Sequence, residues 1–194
     1  MKNKSDLNRI CLFPMLFLLL LCGCREKAVP VRNEDDGRLR LDEQHTVDFY
    51  RGNDAEGADP ITAQCLAILG DRKPASVKPA DGWEFGPGAE IALYHVNGAD
   101  VRILRYGAEE QLLLDIVLGE NHVLSGGVRI GSTEAELLES YGDWPEFCPD
   151  PYDIYDDGVR AYVLYGPWYE RYLILFEVDA ATGKITGISY EYDA

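Results

Sequence analysis

The sequence predicts an α+β domain made of two tandem repeats, each a helix followed by three antiparallel strands, with the sheets of the two repeats joined side by side. Two observations predict this class. Helix signatures that stop at Gly70 and Gly142 lie 72 residues apart, and β-rich segments centred on Ile116 and Ile188 are separated by the same 72 residues. Independent elements that share one offset are typical of an internal duplication. We therefore expect a tandem-repeat fold in the C-terminal three quarters of the chain.

Both helices carry start signals. Asp59 followed by Pro60 fits an N-cap with proline at the first helical position. Thr133 and Glu136 fit a capping box, in which two side chains satisfy the first free backbone N–H groups. Because Cys65 falls on the apolar stripe of the first helix, we expect it to be a buried free thiol.

Each helix is followed by three segments with strand character. In the first repeat Asn97-Gly98 separates two of them and predicts a type I′ hairpin. We assign the first repeat to residues 43–126 and the second to residues 127–194. The predicted strands cover residues 91–96, 101–106, 111–118, 159–165, 171–178 and 184–192.

The N-terminus has the layout of an export signal. A basic start is followed by an apolar run, Cys11 to Leu21, that is too short to span a bilayer. Residues 1–23 end in Leu21-Cys22-Gly23 before Cys24, which resembles a bacterial lipoprotein signal. The resemblance implies that Cys24 is diacylated and anchors the chain at the extracytoplasmic face of the cell membrane, with the membrane as a partner. The alternative is an ordinary cleaved signal peptide with a chance cysteine.

Charge limits the other partners. The chain has net charge −16, and loss of the signal, with three basic residues and one acidic residue, would make it −18. Such a field repels nucleic acid, so we expect no nucleic-acid partner. Residues 24–42 are charged and poor in apolar side chains, which predicts a flexible stalk between the lipid and the domain.

The predicted repeat resembles known exported folds. The stretch Gly127 to Leu138, followed by Tyr141-Gly142, is similar to the helix entry of the β-lactamase inhibitory protein architecture. It is also similar to the small lipoprotein of the outer-membrane β-barrel assembly machinery and to uncharacterised lipoproteins of Gram-positive bacteria. The resemblance implies an exported lipoprotein with a tandem-repeat domain over about residues 59 to 194.

The sequence does not match common catalytic or metal-binding patterns. The acidic run before Gly158 would match a calcium-binding EF-hand loop only with acids at Asp153, 155 and Asp157, and position 155 is Tyr155. There is no nucleophile elbow, no P-loop and no zinc pattern. We therefore expect no catalytic residues, no metal and no cofactor, and predict that the protein is not an enzyme.

Aromatic residues supply the remaining functional signal. They crowd the second predicted sheet and favour recognition of a protein or peptide, since rings bury large areas at low entropic cost. The alternatives are rings that fill the joint between the repeats, or a turn that folds back over the sheet. An alternative function is inhibition of a secreted or envelope hydrolase by the loop from Gly142 to Gly158. The candidate binding residues are Tyr162, Tyr165, Trp168, Tyr169 and Tyr172.

Overall fold

The computed structural model describes residues 31–50, 59–80, 87–107, 110–149, 158–166 and 171–192. Within them it has twelve strands and two helices. The first half contains β1 (Val31–Arg32), β2 (Arg38–Arg40), β3 (Thr46–Asp48), α1 (Pro60–Leu69), β4 (Ser76–Pro79), β5 (Ala89–Val96), β6 (Ala99–Tyr106) and β7 (Glu110–Val117). The second half contains β8 (His122–Val123), α2 (Glu134–Tyr141), β9 (Phe147–Pro149), β10 (Val159–Tyr165), β11 (Tyr172–Asp179) and β12 (Lys184–Tyr192).

One antiparallel sheet of eight strands dominates the fold, in the order β4-β5-β6-β7-β12-β11-β10-β9. Its two halves meet where β7 pairs with β12, through Asp115 opposite Glu191 and the two residue pairs beside it. Two small ladders, β1 with β8 and β2 with β3, lie outside this sheet.

The predicted local signals form as expected. The Asp59 side chain accepts hydrogen bonds from the first turn of α1, and Thr133 and Glu136 form the complete capping box of α2. Asn97 and Gly98 both have positive φ, 44° and 83°, as a type I′ turn requires. The Asn97-Gly98 hairpin prediction is therefore confirmed, together with both helix starts.

The main core lies on one face of the sheet. Ile61 and Cys65 of α1, Leu137 and Tyr141 of α2, and the segment around Phe49 all pack onto this face. The aromatic rings there contact one another: Phe49 stacks on Tyr190 with ring centroids 5.0 Å apart. We call this side of the sheet the helix face and the opposite side the open face.

The predicted fold class is wrong. The chain is mostly β, with one eight-stranded antiparallel sheet and, among the described residues, helices of only 10 and 8 residues. It is not an α+β fold of two helix-plus-strand repeats. The prediction failed because it took the strands in two groups of three. The additional strands β4 and β9 extend both ends of the sheet, so that in the described part eight strands and two short helices make the chain mostly β.

The predicted stalk is also wrong for residues 31–42, while residues 24–30 lie outside the described part. Val31, Leu39 and Leu41 are buried, and Asp36 is only 2% exposed. β1 pairs in parallel with β8, so this segment is part of the domain. The charged side chains alternate with apolar ones that reach the core, and composition averaged over the segment conceals this pattern.

Cys65 is a buried free thiol, and Cys148 is a half-buried free thiol. Burial raises the pKa of Cys65 to about 12. The thiol is therefore neutral at physiological pH and packs as a small apolar side chain. The predicted inward position of Cys65 on α1 is confirmed.

Candidate binding surface

The three described aromatic residues of the predicted site do not all lie on one face of the sheet. Tyr172 is 2% exposed on the helix face, and its hydroxyl donates to Asp59 Oδ2 at 2.8 Å. Tyr162 points to the same face, where it stacks on Phe147 with centroids 5.5 Å apart. Tyr165 packs on the open face.

Tyr172 is thus buried against other elements of the domain, and its part in binding stays a prediction. Tyr162 is half-buried, and its hydroxyl donates to Glu134 Oε1 at 2.5 Å. Trp168 and Tyr169 lie outside the described residues, as do Cys24 and the signal. No helix among the described residues is long and apolar enough to cross a membrane.

The open face is built from cross-strand rows that run over the sheet. Since side chains alternate along a strand, residues directly opposite one another across each pair point the same way. One row consists of Ser76, Leu93, Arg102, Asp115, Glu191, Leu173 and Tyr165. The neighbouring row consists of His95, Asp100, Val117, Ser189, Leu175, Val163 and Cys148.

The two ends of these rows differ. At the β9–β11 end Val163, Leu173 and Leu175 form an apolar cluster, and they are only 3%, 8% and 5% exposed. At the β4–β7 end the rows are charged and partly accessible. Surface that a ligand could reach therefore lies at the β4–β7 end.

A cavity of about 430 Å³ opens at this end. Its size falls in the range of ligand-binding clefts. Ile91, Leu93 and Val117 give it an apolar floor, and we call it the β4–β7 cavity. The remaining lining residues are polar or lie at the sheet edge: Ser76, Lys78, Pro79, Asp100 and Arg102.

Arg102 is held in place by Asp115. Arg102 Nε donates to Asp115 Oδ1 at 2.7 Å, and Nη2 contacts the other carboxylate oxygen. The Asp115 side chain is 8% exposed and that of Arg102 is 45% exposed. Burial raises the pKa of Asp115, while Arg102 opposes that shift. The guanidinium is thus anchored on one edge and accessible on the other.

Lys78 differs from the other charged groups of the cavity. Asp100 accepts a hydrogen bond from His95 Nδ1, with 2.6 Å between the atoms. Lys78 is exposed on β4, where its backbone pairs with Ile91, but its ammonium group has no hydrogen bond or ion pair with any part of the chain that the structure describes. The cavity therefore contains one cation without a counter-ion.

A larger cavity, about 570 Å³, lies beside the start of α2. Its lining is mainly charged side chains and glycine backbone, including Arg32, Arg129 and Glu136. The N–H of Thr133 already donates to Glu136 Oε2 at 2.7 Å, so the helix start has few donors left. With Ile130 and Val123 as its apolar residues, this cavity fits a ligand less well than the β4–β7 cavity.

Sequence reasoning missed Asp36. Its carboxylate accepts hydrogen bonds from Ser125 N at 2.8 Å, Ser125 Oγ at 2.7 Å and the Tyr141 hydroxyl at 2.7 Å. The Asp36 carbonyl accepts from the Tyr190 hydroxyl at 2.8 Å. These contacts fasten the N-terminal segment to α2 and the sheet, which is a structural role. No local signal separated Asp36 from the neighbouring acids, the exposed Glu34 and the half-buried Asp35.

A second hydrogen-bonded cluster ties α1 to the sheet. Leu113 N donates to Thr62 Oγ1 at 2.8 Å, and Thr62 Oγ1 donates to Asp59 Oδ2 at 2.6 Å. Tyr172 donates to the same carboxylate oxygen. Burial, and then the charge of Asp59, raise the pKa of Tyr172, so its hydroxyl remains a donor. The Asp59 N-cap was predicted, but its link to Tyr172 was not.

Within the described residues no three His, Cys, Asp or Glu side chains are grouped so that they could hold a metal ion. Tyr155, Asp153 and Asp157 lie outside those residues, as does the part of the predicted inhibitory loop that spans 150–157, while residues 142–149 form a turn and β9.

Comparisons with known proteins do not assign the chain to a family. No family model matches it, and no curated protein matches its sequence. A cysteine-rich secretory protein from Staphylococcus aureus subsp. aureus Mu50 is 11% identical with a TM-score of 0.37, over 68% of this chain and 43% of that one. A DUF4309 family protein from Bacillus subtilis subsp. subtilis str. 168 is 18% identical with a TM-score of 0.37, over 74% of this chain and 90% of that one. This chain thus spans less than half of the staphylococcal protein, and neither likeness bears on function.

Proposed function

We propose that the protein is a non-catalytic binding module that takes a peptide segment of another protein in the β4–β7 cavity. The observation that carries this proposal is the asymmetry of the sheet. The described helices and the N-terminal segment pack on the helix face, while the β4–β7 end of the open face keeps an apolar floor under accessible charges. Apolar surface with a few placed polar groups is the usual composition of a binding site.

The edge strand β4 offers few backbone groups to an added strand, which favours a peptide that lies in the cavity and does not extend the sheet. Ala80 N donates to Ala89 O at 2.9 Å, and in an antiparallel pair every second residue bonds to the partner strand. The backbone groups of β4 that face outward therefore belong to the alternate residues, Val77 and Pro79. Proline has no N–H, which leaves Val77 as the outward donor of β4. Lysine and proline on an edge strand discourage strand addition. Binding must therefore come mainly from side chains in the cavity.

The chemistry of the cavity supports a non-catalytic role. Ser76 is the hydroxyl-bearing residue of its lining, and its hydroxyl has no hydrogen-bond partner among the described residues. A serine nucleophile needs an adjacent base within hydrogen-bond reach. The described charges at the cavity instead suit recognition.

Peptide display tests the proposal. We expect the full-length protein in detergent to enrich peptides from a random library, and Leu93→Gln to abolish the enrichment because it places an amide in the apolar floor. Leu138→Gln is the matched control, since Leu138 is 44% exposed on α2 and lies outside the cavity. Equal enrichment by both variants would rule out the β4–β7 cavity as the site.

We further propose that lipid on Cys24 holds this module at the extracytoplasmic face of the membrane. The support is the sequence Leu21-Cys22-Gly23-Cys24 after a basic and then apolar start. Two acyl chains give stable anchoring, whereas one gives only marginal binding. Labelled palmitate should enter the wild type and not Cys24→Ala. Equal labelling of the two would exclude Cys24 as the lipid site.

A further inference from the structure

We infer that the peptide segment carries an acidic side chain flanked by apolar ones, and that Lys78 and Arg102 receive its carboxylate over the Ile91–Leu93 floor. This inference rests on the proposed function and specifies the ligand of the same cavity. It is drawn from charge and position, because two cations flank an apolar surface in a chain whose net charge is −16.

Register places the two cations on opposite sides of the floor. Lys78 lies opposite Ile91, and Arg102 lies opposite Leu93 on the other side of β5. Strand spacings of about 4.8 Å and residue steps of about 3.4 Å put their Cα atoms about 12 Å apart. Both side chains are long enough to reach a carboxylate held between them. The apolar side chains of Ile91 and Leu93 lie directly beneath that position.

Arg102 is prepared for this role by its contact with Asp115. The carboxylate of Asp115 uses Nε and Nη2 of the guanidinium, which leaves the N–H groups of Nη1 available. An arginine that is already oriented loses less entropy when it binds a second acceptor. Its 45% exposed side chain is accessible from the cavity.

Lys78 supplies a positive charge that no described side chain neutralises. Arg102 is neutralised by Asp115, and Asp100 is bonded to His95. The exposed ammonium of Lys78 has no such partner among the described residues. An anionic side chain that enters the cavity therefore gains charge-assisted hydrogen bonds, which are about twice as strong as neutral ones. A cationic side chain placed beside Lys78 would be repelled, since the Asp100 carboxylate lies at the other end of the cavity, opposite His95.

A peptide array tests this specificity with full-length protein in detergent. The array holds acetylated, amidated pentapeptides with valine, leucine or phenylalanine at positions one, three and five. Positions two and four carry glutamate, glutamine or lysine in matched sets. We expect glutamate peptides to bind about tenfold more tightly than their glutamine counterparts, which corresponds to one charge-assisted hydrogen bond. Lysine peptides should bind most weakly.

Variants assign the preference to the cavity. Lys78→Gln should reduce the glutamate-over-glutamine preference to about threefold or less and leave glutamine peptides unaffected. Lys184→Gln, an exposed lysine at the start of β12, is the matched control and should keep the full preference. Because removal of Arg102 alone would leave Asp115 buried and unpaired, its contribution is measured in the double variant Arg102→Gln with Asp115→Asn.

The outcomes distinguish a failure of the acidic specificity from a failure of peptide binding itself. Glutamate and glutamine peptides that bind equally, or a preference that survives Lys78→Gln, would overturn the acidic specificity and leave peptide binding intact. If no peptide in any set binds, the proposed function fails with it. A preference lost in Lys78→Gln and kept in Lys184→Gln supports both.

Discussion

The two faces of the eight-stranded sheet use charged residues in opposite ways. On the helix face, Asp36 and Asp59 are enclosed by hydroxyl and N–H donors that belong to other elements. On the open face, Arg102 and Lys78 stay accessible over an apolar floor. In the first arrangement the carboxylates hold segments of the domain together, and in the second the cations remain accessible to solvent. We therefore expect stability to depend on Asp36 and Asp59, and peptide binding to depend on Arg102 and Lys78.

The largest expected effect is on the helix face. Asp36→Ala removes the acceptor of three hydrogen bonds and leaves buried donors unpaired, which should lower the free energy of unfolding by about 3 kcal/mol. For a domain of this size that corresponds to a drop in melting temperature of about 6–12 °C. Thermal denaturation measures it. Glu34→Ala, an exposed neighbour, is the control, and an equal small change in both would contradict the structural role of Asp36.

Removal of one hydroxyl should have a smaller effect. Tyr172→Phe keeps the ring but loses the bonds to Asp59 Oδ2 and to the Leu113 carbonyl. We expect a loss of about 1–1.5 kcal/mol in denaturant unfolding, the usual net value of such a bond. Tyr106→Phe, whose ring is 36% exposed, should change nothing measurable. Were Tyr172 a ligand contact, as its sequence context indicated, its variant would instead weaken peptide binding.

Substitutions on the open face should change the free energy of unfolding little and weaken peptide binding strongly. Leu93 is half-buried in the cavity floor, so Leu93→Gln should cost less than about 1 kcal/mol of unfolding free energy. The same substitution should abolish the enrichment of peptides. A loss of several kcal/mol in chemical denaturation would mean that Leu93 belongs to a closed core, and the contrast between the two faces would disappear.

The smallest effect concerns an ion pair at the rim of the helix face. The hydrogen bonds of Arg160, and then of Tyr162, hold the pKa of Glu134 below its usual range. Because the folded pKa is lowered, the stabilisation is present above the unfolded value near 4.5 and is lost as pH falls through the folded pKa. Glu134→Gln should therefore cost about 0.5 kcal/mol at pH 7, as exposed pairs do. The difference from wild type should shrink towards pH 3, and a pH-independent difference would contradict this assignment.

Local elements could be predicted from the sequence because their signals are local. The Asp59 N-cap, the Thr133–Glu136 capping box and the Asn97-Gly98 turn each depend on residues within four positions of one another. Alternation along a strand is equally local, and in β11 it places Tyr172 and Leu173 on opposite faces of the sheet. Such patterns fix helix starts, turns and strand faces before any tertiary contact is known.

The fold class and the site could not be predicted, because both depend on contacts distant in sequence. Asp36 and Tyr141 are 105 residues apart, and no spacing rule connects them. The pairing of β7 with β12 makes one sheet from strands that the sequence presents as two groups. Alternation indicates which residues share a face but not which face the helices cover. This is why Tyr172 was assigned to a binding surface, and Lys78 and Arg102 were not.

The most direct test of the central claim is a map of backbone amide signals by NMR spectroscopy. Isotope-labelled full-length protein in detergent micelles would be titrated with the tightest-binding peptide of the array. We predict that the signals that shift most belong to Ile91, Leu93, Arg102 and Val117 at the β4–β7 cavity. Shifts centred on Leu175 and Tyr165, or on Leu138 of α2, would contradict the account.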